Sequence, residues 1–100
     1  MIFQEEQFYF YIMTNTYNKV LYVGFTVNLK TRIKEHKEKI HKKSFTSRYN
    51  IDKLVYFETF KTVAAARKRE RQVKKWNRKW KENLINDKNP KWDDLNWMLD

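Results

Sequence analysis

Residues 9–24 read YFYIMTNTYNKVLYVG: an aromatic and aliphatic run, a polar break, and a second apolar run closed by the only glycine in the chain. Tyr, Phe, Ile, Val and Leu suit a pleated, half-buried surface, so both runs read as strands. The break Thr14-Asn15-Thr16-Tyr17-Asn18-Lys19 has the Asn and Thr chemistry of a tight connection, and together they predict a β-hairpin. A turn symmetric about Thr16-Tyr17 sets Tyr11 directly opposite Tyr22, with Cβ atoms roughly 5 Å apart. Alternation along a strand then gathers Tyr9, Tyr11, Val20, Tyr22 and Gly24 on one face. Phe8, Phe10, Ile12, Leu21, Val23 and Phe25 take the other. The expectation is one greasy face, and one that carries hydroxyls and ends in a gap at Gly24.

Working outward, 100 residues suit one domain spanning residues 1–100. A hydrophobic share of 41%, with 17% aromatics, supports a packed core rather than disorder. The absence of cysteine excludes disulfides, thiol catalysis and thiolate metal sites. No apolar run approaches the ~20 residues of a membrane span, and the acidic opening MIFQEEQ lacks a signal-peptide core. A cytoplasmic protein without a membrane partner is expected. Lys and Arg number 22 against 12 Asp and Glu, a net charge of +10. The excess is uneven: residues 67–81 hold nine basic side chains and one acid, Glu70. Such clustering favours a polyanionic partner over simple solubility.

Beyond the hairpin, Asn28 is a good N-cap for a helix over 28–41, with Leu29, Ile33, His36 and Ile40 at helical spacing. Residues 44–50, with Phe45 and Tyr49, read as a loop, and Leu54-Val55-Tyr56-Phe57-Glu58 as a third strand. Thr62 caps a second helix whose Val63, Ala66, Glu70 and Val73 share a face. A third, over roughly 78–87, turns Trp80, Leu84 and Ile85 inward until Asn89-Pro90 stops it. The aromatic, acidic tail KWDDLNWMLD is expected to pack back onto the domain. The fold class is α+β: a small three-stranded antiparallel sheet flanked by helices.

Tyr11, Tyr22-Val23-Gly24, Arg32 and His36 four residues apart, and Glu70 in a later helix form an ordered set that resembles the GIY-YIG nuclease superfamily. The stretches LYVGFTVNLKTRIKEHK, RYNIDKLVYFE, RERQVKKW and NPKWDDL are similar to small single-domain GIY-YIG proteins and to excinuclease N-terminal domains. The likeness runs from about Tyr9 to Leu95. One departure stands in the first motif, where Tyr9-Phe10-Tyr11 replaces Gly-Ile-Tyr and sets a bulky ring beside the site.

The resemblance implies a metal-dependent endonuclease acting on DNA, structure-specific or serving DNA repair, with Mg²⁺ or Mn²⁺ as cofactor; the sequence does not separate DNA from RNA as the substrate. It assigns Glu70 as the metal ligand, which suits a cation that takes one or two carboxylates and keeps several waters. The rival reading of Glu70 is a surface ion pair with Arg67 or Lys74; its place in line with Ala66 and Val73 argues against that. Arg32 would neutralise the scissile phosphate, for which a planar, permanently charged donor is suited. His36, one turn further along, would donate to a phosphate oxygen or accept a proton. Tyr22 is implied as general base and Tyr11 as the group that positions water or phosphate; the reverse assignment stays open.

Lys74, Lys75, Arg78 and Lys79 form a basic run for backbone phosphates, and the resemblance adds Tyr49, after Arg48, where relatives have a further site tyrosine. Trp76 and Trp80 are interleaved; an exposed tryptophan there would contact base or sugar, but the preferred reading makes both core while their neighbours meet phosphates. The protein is expected to be a monomer or weak dimer. Two rival functions are a nucleic-acid-binding module that keeps the fold without catalysis, and a protein–protein adaptor. The second leaves both the charge and the aligned polar residues unexplained.

Overall fold

In the computed structural model, which describes residues 7–39 and 48–99, the two expected runs form β1 (Phe8–Thr14) and β2 (Leu21–Thr26). They pair antiparallel, and β1 pairs antiparallel on its other edge with β3 (Lys53–Phe60), giving the order β2-β1-β3. The other elements are α1 (Leu29–Glu38), α2 (Val63–Lys74), α3 (Arg78–Lys88) and a 3₁₀ turn (Leu95–Leu99). None of these helices is long and apolar enough to cross a membrane.

Each of these three α-helices starts at a side-chain cap. Asn28, Thr62 and Asn77 accept from the amides of Thr31, Ala65 and Trp80 at 3.0, 3.1 and 2.9 Å. Such caps contribute about 1 kcal/mol apiece. α1 ends earlier than the sequence suggests, because Lys39 adopts the left-handed conformation (φ 53°) while its amide bonds back to Glu35 and His36. The remainder of that predicted helix, with Ile40, and residues 44–47 of the predicted loop, with Phe45, lie outside the described residues.

The hairpin register differs from the expected one by two residues. Tyr11 faces Gly24, and Tyr22 faces Met13. The turn is centred on Tyr17-Asn18: the Asn18 amide donates to the Asn15 carbonyl at 2.9 Å, and Asn18 takes φ 58°. Asn tolerates that left-handed region, and the Asn15 side chain holds the returning strand through the Lys19 and Val20 amides. An even shift preserves alternation, so the two faces keep their predicted membership.

Both faces are core. Phe10, Ile12, Val23, Val55 and Tyr56 pack with Val73 of α2 and Ile85 of α3. On the other side Tyr11 and Met13 pack with Leu29 and Ile33 of α1, Ile51 and Leu54. The hydroxyl-bearing face is thus a second hydrophobic layer under α1. A bulge at Val55 in β3, where Ile12 pairs Tyr56 and Met13 pairs Leu54, turns two successive residues onto the α2 side. The tail folds back as expected: Leu95 and Leu99 pack under the Tyr11 layer. Asp94 accepts from Lys37 at 2.6 Å and from the Leu54 amide at 3.2 Å.

α3 is rotated from its predicted orientation. Ile85 is fully buried, whereas Trp80 is 56% exposed and Leu84 only half-buried. Arg78 and Asn89 set this rotation. Arg78 donates to the carbonyls of Asn18 and Lys19 at 2.6 and 2.7 Å, and Asn89 to that of Val55 at 3.0 Å. Ile85 and Asn89 are therefore buried, Leu84 packs against the Phe10 layer from its edge, and Trp80 falls outside.

The gap expected at Gly24 is filled by the Tyr11 ring from the facing strand. A Cβ at Gly24 would lie 2.8 Å from Tyr11 Cε1 and closer still to Cζ and the hydroxyl. Glycine is required here by close approach, not by backbone conformation. Gly24→Ala should therefore cost about 1–3 kcal/mol of stability in urea unfolding. In the Tyr11→Leu background the same change should cost clearly less; equal costs in both backgrounds would show that the ring is not the obstacle.

Candidate functional site

Where β2 runs past both helical layers, a cavity of about 330 Å³ opens. Its walls come from the sheet (Tyr11, Tyr22, Gly24), from α1 (Arg32) and from α2 (Arg67, Glu70). Tyr11 and Tyr22 are diagonal rather than directly opposed, with ring centroids 6.2 Å apart. His36, one turn beyond Arg32, stands behind them: its ring centroid is 5.7 Å from that of Tyr22, and its Nε2 is 3.3 Å from the Tyr11 hydroxyl. Tyr11, Tyr22, Arg32, His36 and Glu70, five positions spread over sixty residues, thus meet in one place.

Glu70 is buried beside Ala66 and Val73 on the inner face of α2. Its carboxylate has Lys74 Nζ at 3.4 Å and Arg67 at 4.0 Å. Both ion pairs that rival a functional role are therefore present, yet they do not take the carboxylate out of the cavity. Arg67 was not singled out from the sequence as a site residue. It lines the cavity with its guanidinium 4.6 Å from the centre of the Phe25 ring. Its position three residues before Glu70 was the available signal.

Arg32 carries a buried Nε with no hydrogen-bond partner, 3.7 Å from Glu35. Buried donors are rarely left unmatched, and this one borders a cavity that could admit an anion. Burial pushes the Tyr11 hydroxyl well above its ordinary pKa; Tyr22 and Glu70 add to the shift and Arg32 opposes it. Tyr22 is half-buried and opens on the cavity. Tyr9, the departure from the motif, lies outside this lining and borders a separate cavity with Phe57 and Leu99, so its ring leaves the site open.

The donor set limits what metal could bind. Among the described residues no three His, Cys, Asp or Glu side chains are grouped as a metal cage. Glu70 is the cavity's sole carboxylate among the lining residues. One carboxylate with space beside it fits Mg²⁺ or Mn²⁺ completed by water and phosphate oxygens, and does not fit an all-protein site.

The predicted phosphate-binding residues divide. Lys75 and Lys79 are exposed, and Lys74 borders the site through Glu70. Arg78 is not available as expected: its guanidinium is occupied by the hairpin carbonyls and by Glu82 at 2.8 Å. Tyr49 is exposed in the segment before β3 and does not line the cavity.

Comparison with known proteins places the chain by family and fold. The family model described as GIY-YIG catalytic domain matches residues 7–83. A UPF0213 protein of Syntrophus aciditrophicus is 36% identical over 77 residues, covering 77% of this chain and 87% of that protein. Another from Clostridium perfringens is 42% identical over 71 residues, 71% of this chain and 75% of the relative. The solution NMR structure of the UPF0213 protein from Bacillus halodurans superposes with a TM-score of 0.56 at 26% identity, covering 88% of this chain and 92% of that one.

Burial also raises the Tyr56 hydroxyl, which donates to Glu58 at 2.6 Å. A tyrosine whose folded pKa exceeds its unfolded value of about 10 stabilises the fold fully below that pH and loses the contribution as pH rises further. Urea unfolding should therefore show stability falling above about pH 10. The fall should be shallower in Tyr11→Phe and Tyr56→Phe than in the parent. Parallel curves for all three proteins would rule out this origin.

Proposed function

This chain belongs to the GIY-YIG catalytic-domain family, and on that premise we propose that it is a metal-dependent endonuclease hydrolysing DNA phosphodiester bonds. The observation that carries the reading is the buried Glu70 carboxylate, opening from the apolar face of α2 into the cavity shared by Tyr22 and Arg32. Its two cationic partners reach it from the exposed rim, so the carboxylate stays charged while one side of it remains open to the cavity.

Hydrolysis requires an attacking water, neutralisation of the phosphoryl oxygens and a proton for the leaving oxygen. Arg32 takes the scissile phosphate, offering its unmatched Nε–H along with the rest of its fork. Arg67 adds a second positive charge on the α2 side. Tyr22, the more accessible hydroxyl, accepts the proton of the attacking water as it passes its own to solvent in the cavity. Tyr11 is held protonated by burial and hydrogen-bonds the water or a phosphate oxygen. His36 orients Tyr11 through the 3.3 Å contact. The water oxygen bonds to phosphorus, the opposite P–O bond breaks, and the departing oxygen takes up a proton. Mg²⁺ or Mn²⁺, held by Glu70, would supply Lewis-acid neutralisation of the phosphoryl charge.

With one Glu70 per chain, the protein works as a monomer or weak dimer in the cytoplasm.

Glu70→Ala should abolish cleavage of a labelled DNA panel in Mg²⁺ or Mn²⁺, while binding is retained or tightened because a negative charge leaves the site. Tyr22→Phe, which keeps the ring, should lower the cleavage rate by orders of magnitude with folding intact. Metal-dependent activity at the parent level in Glu70→Ala would refute the metal assignment. For duplex binding, reversing the charges of Lys75 and Lys79 should reduce the log–log salt slope by about 2, at roughly 0.9 per phosphate, on every sequence alike. A loss confined to one sequence would point to base reading instead.

A further inference from the structure

On α3, Trp80, Asn83, Leu84 and Asp87 recur at intervals of three and four and form one stripe. With Trp76 they line a groove of about 410 Å³, outside the cavity that contains Glu70. The two indoles meet edge to face, centroids 5.9 Å apart at 82°. Trp76 is fixed: it packs on the Phe10 layer, and the Arg69 guanidinium lies 5.3 Å from its ring centre. Arg69 is itself held by Glu58 at 3.1 Å. Trp80 stands out from this base, 56% exposed. The rotation of α3 imposed by Arg78 and Asn89 is what presents it.

An exposed indole on a rigid base is unusual on a face this polar, and its neighbours suggest what covers it. Lys75, beside Trp76, and Lys79, beside Trp80, are exposed. Asp87 adds a negative charge to the groove itself and would repel a phosphate placed there. Flat apolar walls, cations outside and an acid within fit an aromatic ring with polar edges tethered to an external phosphate. They do not fit a phosphate in the groove. We propose that this groove stacks an unpaired nucleobase on Trp80 while Lys75 and Lys79 hold its flanking phosphates. Asn83 and Asp87 face the edge of that base as hydrogen-bonding groups. Bases within a duplex cannot enter, since their faces are already stacked. The preferred partner is therefore DNA with an unpaired stretch, such as a gap, flap or fork. This rests on the nuclease reading for its substrate, but it concerns binding alone.

The test uses the full chain in EDTA, so that no outcome depends on cleavage. Fluorescence anisotropy would compare a blunt duplex, the same duplex with a short single-stranded gap, and a single strand. The parent should favour the gapped and single-stranded forms over the duplex. Trp80→Ala should lose about tenfold affinity for those two and little for the duplex. Trp80→Phe, retaining a stacking face, should recover part of the loss. Because Trp80 is exposed, Trp80→Ala is expected to fold, as judged by circular dichroism; if it does not, Trp80→Phe against Trp80→Gln gives the same contrast. Equal losses on all three DNAs, or none, would overturn the proposal. So would sedimentation showing that Trp80 drives self-association of the chain. A chain that fails to cleave but keeps the Trp80-dependent preference would refute the nuclease reading and leave the stacking site standing.

Discussion

The seat of the Tyr11 ring on Gly24 is the constraint from which the remainder of the molecule follows. Tyr11 lies on the central strand, is 1% exposed, and crosses the facing strand where that strand has no side chain. This contact fills the gap in the hydroxyl-bearing face, so Leu29 and Ile33 of α1 close over a continuous layer. It also aims the Tyr11 hydroxyl past the edge of the sheet toward His36 and the cavity. Packing and site geometry are therefore one arrangement. A change that loosens the ring is felt in both.

A second balance concerns charge. The α2 surface is strongly basic, yet its inner face carries the single acid that matters. Arg67 and Lys74 reach that acid from the rim rather than from within the core, with their side chains 53% and 60% exposed. They compensate Glu70 without sealing it from the cavity. The other cations of the stretch have separate tasks. Arg69 braces Glu58 and Trp76, and Arg78 ties α3 to the hairpin turn. A net excess of positive charge thus resolves into structural, electrostatic and ligand-facing groups that composition alone cannot separate.

Most of the fold was legible because it follows from local rules. Alternation in β1 and β2 assigned each side chain to its face, and Asn28 and Thr62 were recognisable as caps. Glu70 stood out because a carboxylate interrupted an apolar stripe. The turn centre was not legible: Asn15 and Asn18 are both turn formers, and the left-handed conformation of Asn18 decides between them. That choice moved Tyr22 from directly opposite Tyr11 to diagonal, while alternation kept the two on one face. The orientation of α3 was equally hidden. Trp80, Leu84 and Ile85 offer two overlapping apolar stripes, and long-range bonds from Arg78 and Asn89 select the one centred on Ile85. Arg67 was visible only as an ion-pair partner, since nothing local shows that its helix borders a cavity.

The central strand comes first in the described chain, and this has a consequence for how the molecule is made. As synthesis proceeds, β1 meets β2 almost at once, closing a short loop at small entropic cost. Its second edge, the backbone of Phe8–Thr14, must wait for β3, which begins only at Lys53. Until then the ribbon presents an open, apolar edge of the kind that invites pairing with other chains. The tyrosines are in place during that interval, but Glu70 has not yet emerged. The strand that covers this edge precedes α2 in the chain, so the tyrosines stand without Glu70 for as long as the edge is open.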